Sequence, residues 1–158
     1  MRIIFFIACF GFSTAVTADD RVSRYLGLME GSFNTSRLLY TRIRPEISAK
    51  VKAVDIPEQA VIVAKCVVGK AKSEGLLSEF DSNIELNENF VKYIRETPSL
   101  TLLTLVDDVR FSTLQNEMLS PKFSRFQVHS EECGAIDMNM KLMKESGLFE
   151  AMNSVRQQ

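Results

Sequence analysis

Ala60-Val61-Ile62-Val63-Ala64-Lys65-Cys66-Val67-Val68 decides the fold, because its Val and Ile content suits a buried strand while its length suits a helix. The proline-led start at Asp55-Ile56-Pro57-Glu58 tips the balance towards a central helix. Apolar residues run almost all round it, so it is expected to be the most buried element. Lys70 and Lys72 complement its negative end, and Gly75 is its natural C-cap.

Working outward, Val22, Leu26, Met29, Phe33, Ser36, Tyr40 and Ile43 recur at alternating steps of four and three, which predicts a first helix. Asp20 is read as its cap and Pro45 as its end, with Gly27 and Gly31 each weakening it unless a close-packed neighbour explains them. A short helix follows Pro45, carrying Ile47, Val51 and Val54 on one side. Leu76 to Asn83 reads as a short turn of helix followed by a loop, after which Asn87 caps a helix closed by Pro98. Leu102, Leu105, Val106, Val109 and Leu114 predict a helical face from Pro98 to about Leu119. Ser120-Pro121 marks a boundary before Phe123 and Phe126. The final periodic segment carries Cys133, Ile136, Met140 and Met143, and after Gly147 a terminal helix carries Leu148, Phe149, Met152 and Val155. Lys72-Ser73-Glu74-Gly75-Leu76-Leu77 echoes Lys144-Glu145-Ser146-Gly147-Leu148-Phe149, which predicts two helices that end alike. The expected fold is all-α, a compact bundle of about five or six helices.

Met1-Arg2 followed by the apolar run Ile3 to Phe12 has the form of a secretory signal, and Val16 and Ala18 supply small residues before a cut after Ala18. The expected organisation is a cleaved leader over 1–18 and one helical domain over 19–158. Cleavage removes Cys9, so Cys66 and Cys133 read as a structural disulfide in an oxidising compartment, without the Cys-x-x-Cys spacing of a redox pair. Bacterial periplasm is the preferred destination, with extracellular secretion the alternative. No second apolar run is long enough for a membrane span in the mature chain.

The 158 residues carry 19 Lys plus Arg against 20 Asp plus Glu, a net charge of -1, so nucleic acid is not an expected partner. One His excludes a multi-histidine metal site, and no metal or cofactor is expected. His129 stands four before Cys133 and is read as a surface histidine beside the disulfide; Asp107-Asp108 is read as a solvated helix face. Phosphate-cradling, serine-elbow and zinc-protease motifs are all missing. The expected function is therefore a non-enzymatic module that binds another exported protein as an inhibitor, immunity factor or assembly accessory. The alternatives are a carrier of a small lipophilic ligand in its helical core and, less favoured, an enzyme using His129. Arg37, Tyr40, Arg42 and Arg44 form the candidate interaction surface.

Overall fold

The computed structural model describes residues 18–52, 57–101 and 103–156. The expected leader, apart from Ala18, lies outside the described residues, as do Val54, Asp55, Ile56 and Leu102. Every described element is helical. Seven helices of nine residues or more are present among the described residues, α1 (Ala18–Ile43), α3 (Glu58–Ser73), α4 (Leu77–Glu96), α5 (Val109–Met118), α6 (Ser124–Glu132), α7 (Ala135–Glu145) and α8 (Leu148–Arg156), with one single turn, α2 (Ile47–Lys50).

The deciding stretch is helical. Pro57 starts α3 in extended backbone, its carbonyl accepting from Ala60 N at 2.8 Å. Val63, Ala64, Val67, Val68 and Ala71 are buried, while Ile62 on the far side is 66% exposed, so the burial is one-sided where the sequence suggested nearly all round. Each buried Val contributes roughly 1.5–3 kcal/mol, enough to outweigh the weak helix preference of β-branched residues. The end of α3 is a Schellman motif: Gly75 N donates to Lys72 O, Leu76 N donates to Ala71 O, and Gly75 takes φ 74. Gly147 ends α7 with φ 78, its N–H donating to Lys144 O, and Ser146 Oγ accepts from Leu148 N. The echo in sequence is an echo in structure.

α1 packs along α3 and α4, α6 and α7 cover the other side of α3, and α2 and α8 close the far end of α1. The main core joins Tyr25 and Met29 of α1, the buried face of α3, Phe80 and Ile84 of α4, and Ala135 and Met138 of α7. Smaller cores gather Tyr40, Val51, Leu148 and Ala151 at one place, and Leu39, Ile94, Leu100 and Leu105 at another. α1 starts at Ala18, so Asp20 sits in its first turn, where a carboxylate suits the helix dipole.

Four local expectations are corrected. The loop expected at Leu76 to Asn83 is the first half of α4, because Phe80, Ile84, Val91 and Ile94 form one buried stripe and packing overrides the turn preference of Asp, Ser and Asn. Asn87 caps nothing; its Nδ2 donates back to Asn83 O at 2.8 Å and to Asn83 Oδ1 at 2.9 Å. The helix expected from Pro98 breaks at Asp108, whose carboxylate accepts from Phe111 N at 2.6 Å as the N-cap of α5, and Val109 is 79% exposed. Gly134, with φ 81, breaks the final segment and resets its phase, so Ala135, Met138 and Leu142 face inward and Ile136 outward.

Candidate functional site

The structure separates the four residues of the expected interaction surface. Tyr40 is in the core. Arg42 reaches across to the end of α4, where its guanidinium donates to Ile94 O at 3.0 Å, Thr97 O at 3.0 Å and Leu100 O at 2.7 Å. Arg44 stands 3.6 Å from Glu46 and Arg37 is half-buried. Cys66, in the middle of α3, and Cys133, the residue after α6, have sulfurs at disulfide distance and Cα atoms 5.8 Å apart.

His129 is the largest departure. The expected surface histidine is 2% exposed, because α6 turns that face onto α3 and α4. Its Nε2 lies 3.2 Å from Glu74 Oε1, but off the line of a hydrogen bond, so Nε2 is buried without a hydrogen-bond partner. Two acceptors at that separation would repel, so Nε2 carries the ring proton. Glu74 is held by Arg125, whose Nε donates to Oε2 at 3.0 Å while its second nitrogen pairs with Oε1. Beside this group lies a cavity of about 110 Å³ lined by Ala71, Leu76, Glu79, Phe80, Lys122, Arg125, Phe126 and His129. Its aromatic wall belongs to a cluster in which Phe80 and Phe126 centroids are 5.6 Å apart and Tyr25 lies 6.2 and 6.0 Å from them. Tyr25 OH meets Ser130 Oγ at 3.1 Å, and burial pushes its phenol above the ordinary value.

Arg125 first, and His129 after it, hold the Glu74 carboxyl below its ordinary value. A depressed carboxylate stabilises the fold above the unfolded glutamate pKa of about 4.3 and loses that contribution as pH falls through the lower folded value. Glu132, held down by Lys70, acts in the same sense. Melting temperature should therefore decline on the acid side of about pH 4.3, and less steeply in Glu74→Gln. Identical acid limbs for the two proteins in a pH series would remove Glu74 from this role.

A second concavity, about 520 Å³, runs between α1 and α4. Gly27, Leu28, Gly31 and Val91 form its floor, and Arg24, Glu88, Lys92, Arg95 and Glu96 form its rim. A Cβ on Gly31 would meet Val91 Cγ1 at 3.4 Å, so this glycine lets α1 and α4 approach; a Cβ on Gly27 would meet nothing within 4 Å. Arg24 spans the groove to Glu88 with a paired contact, 3.1 and 2.9 Å. The sequence flagged both glycines but not α4, whose first half was expected to be a loop.

Among the described residues, no helix is long and apolar enough to cross a membrane, and no three His, Cys, Asp or Glu side chains gather as a metal site. Compared with protein families, curated proteins and solved structures, nothing matches this chain.

Proposed function

We propose that the chain is an exported, non-enzymatic module that binds another exported protein, of the inhibitor, immunity or assembly-accessory type, with the periplasm its preferred compartment. The observation that carries this reading is the groove between α1 and α4. It has an apolar floor and a charged rim, the layout of a protein interface, and it runs along two helices as a groove for a partner helix does. A lipophilic carrier calls for an enclosed apolar chamber of roughly 300 Å³ or more. The cavity beside His129 measures about 110 Å³, and the groove between α1 and α4 is open along its length.

Gly27 supports the reading. A glycine inside a helix costs about 1 kcal/mol relative to Ala, and no neighbouring side chain needs this one to be small. Gly27→Ala is thus expected to raise stability by about 0.5–1 kcal/mol in denaturant unfolding, whereas Gly27→Leu, filling the floor, should abolish partner binding with the fold intact. The test is affinity capture from the native exported fraction with wild type and Gly27→Leu side by side. A stoichiometric protein held by wild type and released by Gly27→Leu supports the module. Equal recovery of all proteins by both baits, or recovery of lipid alone, overturns it.

A further inference from the structure

We propose that the cavity beside His129 is a binding site for a single aromatic ring bearing a carboxylate, whether a free aromatic acid or the terminal residue of a chain. The inference is independent of the groove between α1 and α4.

Size sets the first limit. A dry cavity of about 150 Å³ accepts benzene; this one, about 110 Å³, is smaller, so at most a single ring enters, with its polar end left outward where the cavity opens among charged side chains. Chemistry sets the second. Ala71, Leu76, Phe80 and Phe126 supply the apolar wall, and the offset aromatic cluster offers ring faces and edges to a further ring.

Polarity sets the third. His129 lines the cavity, and its buried Nε2 has no well-aligned acceptor among the described residues, Glu74 Oε1 standing 3.2 Å away but off the line of a hydrogen bond. A buried donor without an acceptor is unfavourable by about 1–3 kcal/mol, and a ligand oxygen would supply one. Lys122, at the rim, lies 5.0 Å over the Phe123 ring and has no carboxylate partner among the described residues. The two carboxylates nearby do not cancel this preference equally. Glu74 is paired with Arg125, but its Oε1 stands 3.2 Å from His129 Nε2, and Glu79 is in the lining, so a ligand carboxylate is favoured at the Lys122 end of the rim.

Benzoate, phenylacetate, benzyl alcohol and a short peptide ending in phenylalanine are the probes, titrated into the disulfide-intact protein and followed by amide and imidazole NMR shifts. The acids are expected to move the signals of Leu76, Phe126 and His129 with a Kd of about 1 mM, the scale set by their few non-hydrogen atoms. Benzyl alcohol should bind more weakly. Lys122→Met, an exposed change that leaves the fold intact, should erase the advantage of the acids over the alcohol. His129→Phe should weaken every probe about tenfold, the factor expected for one lost donor, and His129→Gln, which restores an N–H donor, should recover part of it. Tighter binding of the peptide than of phenylacetate assigns the site to a chain terminus, and the reverse to a free acid. No shifts at 20-fold excess over the expected Kd of about 1 mM, shifts confined to the lysine-lined cleft of Lys50, Lys52 and Lys144, or affinities untouched by both Lys122→Met and His129→Phe would overturn the proposal.

Discussion

Replacing both Cys66 and Cys133 by Ser should lower the unfolding free energy by about 4 kcal/mol, the loop-entropy value for a crosslink of this span. The two cysteines are 67 residues apart in sequence, so the bond closes nearly half of the chain into one loop. At this size the loss corresponds to a fall of about 8–16 °C in melting temperature. The location adds to the span. Cys66 sits in the buried middle helix and Cys133 at the junction of α6 and α7, so the bond fixes both outer helices against α3. Thermal unfolding with and without reductant measures the effect, and non-reducing peptide mapping of the native protein identifies the joined peptides. A reduced protein that melts with the oxidised one, or free thiols in native material, would refute the structural role and return the pair to thiol chemistry.

Where the signals were local, they placed the residues well. In α3 the proline-led start and the glycine end each have their expected counterpart, while the apolar run, packed on α1, α4, α6 and α7, still leaves Ile62 exposed. α4 shows the opposite. Its buried stripe is continuous, but Asp81, Ser82, Asn83 and Asn87 are residues that hydrogen-bond their own backbone in turns, and only contact with α1 and α3 holds them helical. The candidate sites were less legible for the same reason. His129 stands near two glutamates and reads as solvent-facing, yet its cavity is completed by Leu76 and Phe80 of distant sequence, and Arg125 in the same lining pairs with Glu74, 51 residues away. Asp108 looked like half of an acidic pair; it accepts from both Phe111 N and, at 2.8 Å, Tyr93 OH, contacts that its position in sequence does not announce.

Arg42→Ala should cost about 2–3 kcal/mol, more than any other single change to the arginines of the first helix. The C-terminal carbonyls of a helix have no partners within it, and here one guanidinium takes three carbonyls, of Ile94 in the last turn of α4 and of Thr97 and Leu100 beyond it. Its positive charge also faces the negative end of the helix dipole, an attraction of about 0.3–1 kcal/mol. Each charge-assisted hydrogen bond contributes about 1.5–3 kcal/mol in isolation. The three share one side chain and a half-buried site that water can enter once it is removed, so the net effect is smaller than their sum. Lysine keeps the charge but not the planar fork, so Arg42→Lys should recover less than half of the loss. Arg37→Ala, which removes a side chain with no hydrogen bond or ion pair among the described residues, should remain within about 0.5 kcal/mol of wild type. Denaturant unfolding gives the totals, and amide exchange should show lost protection concentrated between Ile94 and Leu105, where the third core closes over the end of α4. Wild-type stability in Arg42→Ala would mean that water replaces the guanidinium without loss, and Arg42 would then be a side chain available to a partner.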